Sequence, residues 1–520
     1  MFDLAQIRTV ADVPRLQARE RPQATAQIFD DRHTSYADFD RHTSQVANAL
    51  ITAGVSAQAR IGFLGKNSDA YFELLFGACK ASAVVVGVNW RLAAPEIEYI
   101  LNDARCELLF VGQEYYAMAD ELRPRCPSLR GIIAMDDGHA DWPTFRSWRD
   151  AASARDPMVA IAPDDDVIQL YTSGTTGHPK GVQLSNTNFR ALFEVAEQAR
   201  WGLFEAGGMT LTCMPVFHIA GANMGVFSLA QGATNLVMKE VDPERILDFI
   251  PRYKVNYALF VPAVILFLTQ HPRIRDCDFG SLEKLFYGAS PIAEDLLATA
   301  QDIFGCEFYG LYGLTETSGA GTCLTPEGHA AGKLRSCGKP YPGIAVEVRN
   351  GDGTAVAPGE VGEIVIRHPV IMKGYWNRPD ATDEAIEDGW FHTGDAGYFD
   401  EQGYLYIHDR LKDMIVSGGE NVYPAEVENA IFGHDAVADV AVIGVPDERW
   451  GEAVKAVVVL KPDAAVDAEA IIAYARTRIA GYKVPKSVDF VSALPRNPSG
   501  KILRRELRDP YWKGRNRNVN

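Results

Sequence analysis

Hydrophobic positions along this chain switch between two periods. Residues 35–54 carry the helical one: Val46 and Leu50 share a face, Ser35 and Asp38 resemble a capping box, and Gly54 suits a helix end. Residues 60–64 and 83–88 read as strands, the second as a buried run, and 71–80 between them reads as a helix. Strand–helix–strand units of this length predict a parallel sheet covered by helices. The alternation returns as a strand at 166–171, a helix at 186–199 and a strand at 284–287. After about Gly332 glycine and proline become frequent, and 363–367 alternates apolar and polar as a half-buried strand should. A third regime begins near Lys412. It holds a helix at 425–432, strands at 440–445, 454–460 and 488–491, and a helical face of Ile471, Ile472, Ala475 and Ile479. The pattern shows no internal repeat and no low-complexity tract. The predicted fold is α/β: a large multi-layer N-terminal domain, residues 1–410, with mostly parallel sheets plus a β-rich part, and a small α+β C-terminal domain, residues 411–520.

Composition adds limits. The chain has 520 residues, 47% hydrophobic and 23% charged, enough apolar material for a large core. A net charge of −17 disfavours non-specific binding to nucleic acid or anionic lipid, and the basic stretch at 513–517 is too short to reverse that. The eight cysteines form no C-x-x-C pair, which fits reduced thiols in a cytoplasmic protein better than zinc or redox chemistry. The first residues carry an early acid and no apolar core, unlike a signal peptide. Residues 206–238 lack any Asp, Glu, Lys or Arg and are long enough to span a bilayer. They also contain Pro215, His218, Asn223, Gln231 and Asn235, which lipid would penalise, so a buried segment beside an active site is expected and no transmembrane segment.

The candidate chemistry starts at 171–182, YTSGTTGHPKGV. Its glycines allow tight turns that present backbone N–H groups to an anion. Thr172, Ser173, Thr175 and Thr176 add hydroxyl donors around Gly174, and Lys180 adds a point charge. The expected role is a triphosphate cradle between a strand and a helix. An ordinary Gly/Ser/Thr turn would not concentrate these groups so densely. The stretch is neither a Walker A loop nor a dinucleotide G-x-G-x-x-G loop, which disfavours a kinase or an NAD enzyme.

This loop closely resembles the signature loop of the adenylate-forming superfamily, which includes acyl-CoA synthetases, peptide-synthetase adenylation domains and firefly luciferase. The resemblance continues in order almost to the C-terminus and is nearest to bacterial fatty-acyl and aryl CoA ligases. It implies a large N-terminal domain with a mobile C-terminal lid. It also implies roles for further stretches that, taken alone, read blandly. In MPVFHIAG, His218 would border the carboxylate and the thiol path, although an apolar-flanked histidine is more often a satisfied core residue. Gly288, Ala289 and Ser290 follow a strand and would meet the nucleotide. In YGLTE, a common strand-to-helix turn with an N-cap threonine, adenine would lie against Tyr312 beside Gly313, Thr315 would hydrogen-bond, and Glu316 would hold Mg²⁺. In WFHTGD, where an aspartate is usually a turn residue, Asp395 would take the ribose hydroxyls. In DRLKDMIVSGGENVYPAE, Arg410 would contact the nucleotide, Lys412 would be the hinge, and Ser417, Gly418 and Gly419 would enter the site for thiol transfer. Two departures are small: lysine stands where many relatives hinge on aspartate, and Asp409 where many have glycine. In PRNPSGKI, Lys501 would bridge the carboxylate and the α-phosphate and is the expected main catalytic residue.

The implied reaction is AMP-forming ligation of a carboxylic acid to coenzyme A, with ATP as co-substrate. Val216, Ile219, Asn223, Ala289 and Gly313 are the expected acyl-pocket residues; the set is mostly apolar and suggests a hydrophobic acid, fatty or aromatic. Alternatives are an adenylating enzyme loading a carrier-protein thiol in trans and a non-catalytic nucleotide sensor. The joint presence of Lys180, Glu316, Asp395 and Lys501 argues against the sensor. Among assemblies, a homodimer is the expectation.

Overall fold

Two large sheets pack against opposite sides of a shared helical layer, and the candidate chemistry gathers where their strands end. The computed structural model describes residues 4–172, 179–410, 413–417, 420–447, 449–496 and 502–513, without the side chains at 408–410, 416, 420, 421 and 451. The first sheet has nine strands. From one edge these are Lys339–Pro340, Thr322–Leu324, Glu307–Tyr312, Lys284–Gly288, Tyr257–Phe260, Met209–Thr212, Thr234–Val237, Thr25–Phe29 and Arg32–Ser35. The inner strands are parallel, and antiparallel strands close both edges. The second sheet has seven: Gly374–Tyr375, Lys180–Ser185, Asp166–Thr172, Val84–Val88, Arg60–Leu64, Leu108–Val111 and Gly131–Ala134.

Every residue of Arg60–Leu64 and Val84–Val88 is buried, as expected of parallel strands covered on both faces. Helices Tyr36–Thr52, Asp69–Lys80 and Ile219–Ala230 fill the space between the sheets. There Phe39, Phe72, Phe76 and Val226 join Phe63 and Val85 in one core. The first of these helices begins as expected, with Ser35 accepting from the Asp38 N–H. It ends at Gly54, whose φ of 73° lets Val55 N–H reach back to Leu50. The outer face of the nine-stranded sheet is covered by Pro243–Tyr253, Pro262–Thr269 and Glu294–Phe304; that of the seven-stranded sheet by Ala94–Asp103 and Tyr116–Leu122.

Two expectations need correction. The glycine-rich loop joins two antiparallel strands, not a strand and a helix. Residues 180–185 alternate so that Val182 and Leu184 enter the core, and the helix Asn186–Ala199 starts only after Ser185 caps it. The strand Gly362–Arg367 is not half-buried: Ile364, Val365 and Ile366 are all inaccessible, because it is paired on both sides in a five-stranded antiparallel sheet. The apolar stretch 206–238 is a strand, a helix and a strand, as a buried segment requires. Its polar groups pair with one another, Thr210 with Ser228 and Thr212 with Asn235, each at 2.7 Å. Among the described residues no helix is long and apolar enough to cross a membrane.

Towards the C-terminus, strands Ile415–Ser417, Glu420–Val422, Val437–Asp447, Gly451–Leu460 and Ser487–Phe490 form a fourth sheet. With helices Pro424–Phe432 and Ala468–Arg476 it builds its own core, in which Val427, Ile431, Val442, Val458, Ile471 and Ala475 meet.

One side chain ties the two large sheets together. Asn67, 2% exposed, follows the strand Arg60–Leu64 of the seven-stranded sheet. Its Nδ2 donates to the carbonyls of Cys213, Met214 and Met238, and its Oδ1 accepts from Val216 N–H at 3.0 Å. These partners lie at the ends of two strands of the nine-stranded sheet. Asn67→Leu strands several of these buried groups, each costing about 1–3 kcal/mol. The expected result is a thermal midpoint several degrees lower together with reduced ligand affinity at the site; an unchanged midpoint would show the seam to be held otherwise.

Candidate active site

Parallel strands leave their C-terminal ends pointing one way, and in open α/β sheets ligands bind there. Thr172 ends Asp166–Thr172, Gly288 ends Lys284–Gly288, and Tyr312 ends Glu307–Tyr312. After Tyr312 the chain turns through Gly313 into a short helical turn, Thr315–Thr317, that carries Glu316. Thr315 is not its cap. Leu314 precedes the turn, and Thr317 Oγ1 accepts from Leu314 N–H at 3.0 Å, so the capping hydroxyl sits at the other end.

Glu316 is 8% exposed. Its Oε1 accepts from Thr172 Oγ1 and from Tyr375 Oη, both at 3.1 Å. Tyr375 is held opposite Val182 by strand pairing, and Lys180 Nζ stands 4.7 Å from the centre of its ring. Thr172 and Lys180 from the loop and Glu316 from a distant motif therefore meet around Tyr375. Sequence reasoning missed Tyr375. No charge, spacing or glycine pattern marks it; only the pairing of Gly374–Tyr375 with the strand after the loop brings it here.

Asp395 lies in the strand Trp390–Phe399 of the five-stranded sheet. It is 6% exposed and accepts from Tyr312 Oη at 2.8 Å. Burial, then the Asp395 carboxylate, push the Tyr312 hydroxyl far above its ordinary pKa, so it stays protonated and donates. In the antiparallel ladder Arg410 pairs directly with Asp395. The two glycines of the wall permit no substitution. A Cβ on Gly288 would lie 2.3 Å from the Leu311 carbonyl oxygen, and one on Gly313 would lie 2.4 Å from the main chain of Gly319. Between them Ala289 takes a φ of 68°, turning the chain sharply before Ser290.

His218 precedes the helix Ile219–Ala230, its ring 4.5 Å from that of Phe217. Its Nε2 is buried with no partner among the described residues. Burial, with the charge of Arg91 adding to it, lowers its pKa to about 4, so the ring is neutral near pH 7.

Beside these groups lies a cavity of about 160 Å³. Ile219, Asn223, Ala289 and Gly313, named above for the acyl pocket, line it together with Gly288, named for the nucleotide. Val216 does not: it is wholly buried in the core between the sheets, its main chain held by Asn67 and Tyr71. The far wall is aromatic, with Trp201, Phe227, Phe286 and Tyr341. Ser417 lies in a strand, paired with Glu420 and Gly451, and is 5% exposed. Ser173, Gly174, Thr175, Thr176, Lys412, Gly418, Gly419 and Lys501 lie outside the described residues, as does the side chain of Arg410.

Comparison with known proteins agrees with this architecture. Residues 15–376 match the family model of AMP-binding enzymes, and residues 426–501 match that of the AMP-binding enzyme C-terminal domain. A fatty acid–[acyl-carrier-protein] ligase of Streptomyces coeruleorubidus is 39% identical over 99% of this chain and 99% of its own. A feruloyl-CoA synthase of an Amycolatopsis species is 39% identical over 95% of this chain and 97% of its own. Among solved structures, an anthranilate CoA ligase in complex with anthranoyl-AMP superposes with a TM-score of 0.90 at 27% identity, covering 97% of each chain. The ends of the parallel strands, the two matched regions and these near-full-length relatives place the protein in the family of AMP-binding, adenylate-forming enzymes, as an acid–thiol ligase.

Proposed function

We propose that this enzyme is an AMP-forming carboxylate–CoA ligase acting on a hydrophobic acid. The observation that carries the reading is the meeting of Thr172, Lys180 and Glu316 around Tyr375, on a segment whose Gly313 lines an apolar cavity and whose Tyr312 donates to Asp395. In the first step a carboxylate oxygen attacks the α-phosphorus of ATP. The bond to the β-phosphate oxygen breaks, giving acyl-AMP and pyrophosphate. Lys180 and the hydroxyls of the loop hold the departing phosphates, Asp395 and Arg410 the nucleoside, and Lys501 the attacking and α-phosphoryl oxygens. In the second step the thiolate of coenzyme A attacks the acyl carbonyl, AMP departs, and the thiol proton passes to solvent. Lys412 is the proposed hinge by which the C-terminal domain exchanges Lys501 for Ser417, Gly418 and Gly419 between steps, keeping water from the adenylate.

Mg²⁺ fits at Glu316. Among the described residues no cluster of three His, Cys, Asp or Glu side chains forms a cage, but Mg²⁺ is commonly held by one carboxylate together with substrate phosphates. The ion would reduce the charge repulsion among the phosphates. Thr172 and Tyr375 both bond to the same oxygen, which fixes the carboxylate's orientation and leaves Oε2 for other contacts.

His218 is proposed to border the acid and the thiol path as a neutral ring, contributing a hydrogen bond and no charge. A second reading has support of its own: one relative matched along its whole length is named for loading an acyl carrier protein, so a carrier thiol supplied in trans would replace coenzyme A. The names of the relatives span fatty and aromatic acids. A homodimer and a cytoplasmic location remain part of the proposal.

Three measurements test it. Pyrophosphate release with MgATP and CoA, across fatty and aromatic acids, should show CoA-dependent turnover that Lys501→Ala lowers at least about 100-fold. Turnover that appears only when CoA is replaced by a carrier protein would favour the second reading. Glu316→Gln should weaken the Mg²⁺ requirement's half-saturation about 10- to 100-fold while ATP analogue binding without metal is preserved; equal Mg²⁺ titrations would remove Glu316 from the metal site. For His218 the sign follows from its lowered pKa. Above pH 6.5 the ring is neutral in both folded and unfolded chains. Between 6.5 and about 4 only the unfolded chain takes up the proton, so acidification destabilises the fold by up to about 3 kcal/mol. His218→Gln should flatten that part of the pH dependence of the urea midpoint, and an identical slope would contradict the assignment.

A further inference from the structure

The stems of the glycine-rich loop are braced from a helix that no motif marks. Asp103 is the last residue of Ala94–Asp103, on the outer face of the seven-stranded sheet, and its side chain is 9% exposed. The negative end of a helix dipole disfavours a carboxylate, so an aspartate there calls for partners. Three donors meet it. Its Oδ2 accepts from Tyr171 Oη at 2.7 Å, its Oδ1 from Arg378 Nη2 at 2.8 Å, and its main-chain carbonyl from Trp376 Nε1 at 2.9 Å. Burial, then the Asp103 carboxylate, push the Tyr171 hydroxyl far above its ordinary pKa, so it stays protonated and donates.

Each donor leads to a different part of the site. Tyr171 precedes Thr172, where the chain enters the loop. Arg378 Nη2 also donates to Tyr99 Oη at 3.1 Å, and Tyr99 Oη donates to the Pro179 carbonyl at 3.3 Å, beside Lys180 where the chain leaves the loop. Trp376 follows Tyr375, whose hydroxyl reaches Glu316. Trp376 is held from its other side as well. Arg60 Cζ lies 3.6 Å from the centre of its ring, and that guanidinium is fixed by Asp166 and Gln169. The strand ladder sets which main-chain groups meet, with Thr172 opposite Lys180 and Tyr375 opposite Val182. The side chains on Asp103 set how all three segments lie against one helix end.

We infer that Asp103 is a positioning residue for the triphosphate: it aligns the entry to the loop, the exit from it and the Tyr375 strand, so that Thr172, Lys180 and Glu316 face the same phosphates. This rests on the reading above in which the loop holds the departing phosphates. Asp103 acts through Tyr171, Arg378 with Tyr99, and Trp376, and not on ATP directly. The loop serves the β- and γ-phosphates, which AMP lacks. Misaligned stems should therefore cost ATP far more than AMP, whereas a general loosening of the fold would cost both alike.

The test uses the full-length enzyme without any acid, so that ATP is bound and not consumed. Titration calorimetry with MgATP and with AMP gives two affinities, and the stoichiometry counts only the folded, competent fraction. Asp103→Asn keeps the size of the side chain but offers one acceptor oxygen where two donors arrive. It should lower the affinity for MgATP at least about 10-fold and leave that for AMP within about 3-fold of wild type, since small misplacements of binding groups are costly. Tyr171→Phe removes a single hydroxyl. Alone it should lower the affinity for MgATP several-fold, and on Asp103→Asn it should add almost nothing, as expected of groups that share one contact. During turnover, Asp103→Asn should raise the KM for ATP and leave the KM for CoA within a few-fold of wild type. An unchanged ratio of the two affinities in Asp103→Asn, or in Tyr171→Phe where that variant does not fold, would overturn the inference. A wild-type enzyme that binds MgATP no more tightly than AMP would remove the loop from the phosphates, and the inference would fall with that reading.

Discussion

Asn67 is the constraint on which the site's position depends. One buried amide joins the end of a strand in the seven-stranded sheet to three carbonyls and one N–H of the segments leaving the nine-stranded sheet. Such segments would otherwise carry unpaired main-chain groups into the core. Because Val216 N–H is one of the partners, the chain that continues to His218 and Ile219 starts from a fixed point. The helix beginning there carries Asn223 into the cavity, and the same helix packs between the sheets through Val226. Fold and pocket thus share one anchor.

The chemistry of the site is a problem of gathered charge. A nucleotide triphosphate and a carboxylate must approach each other inside an acidic protein. The structure keeps its own carboxylates there occupied: Glu316 accepts from two hydroxyls, and Asp395 from a tyrosine that burial keeps protonated. His218 adds no charge, because a buried imidazole near an arginine gives up its proton. What remains among the described residues for an oxygen-rich anion is the charge of Lys180 at the end of the loop.

Much of this was legible in the sequence where pattern and structure obey the same period. The strand Arg60–Leu64 and the helix Asn186–Ala199 fall where the hydrophobic spacing places them, and the resemblance to adenylate-forming enzymes identified the family from its motifs. The errors have local causes. KGVQLS follows a phosphate loop and invites a helix, yet its alternation makes it the return strand of a hairpin. Val216 and Ile219 look equivalent in MPVFHIAG; only the turn at His218, which starts a helix, sends one to the core and the other to the cavity. Tyr375 and the cavity's volume were out of reach because they depend on contacts between distant segments. A hydroxyl meets a carboxylate 59 residues away only once both sheets exist. The roles given to Lys412, Gly418, Gly419 and Lys501 lie beyond the described residues and rest on resemblance.

The cavity has one rigid wall and one replaceable wall. Gly288 and Gly313 lie against main chain and cannot take a side chain, so selection can hardly alter them without displacing the strand ends they belong to. Trp201, Phe227 and Tyr341 belong to other segments and carry side chains with no hydrogen-bonding part in the nucleotide site described above. Descent with modification can therefore reshape the far wall residue by residue while the activation chemistry is inherited intact. An ancestral gene of this design could give rise to lineages that differ in diet and share one engine.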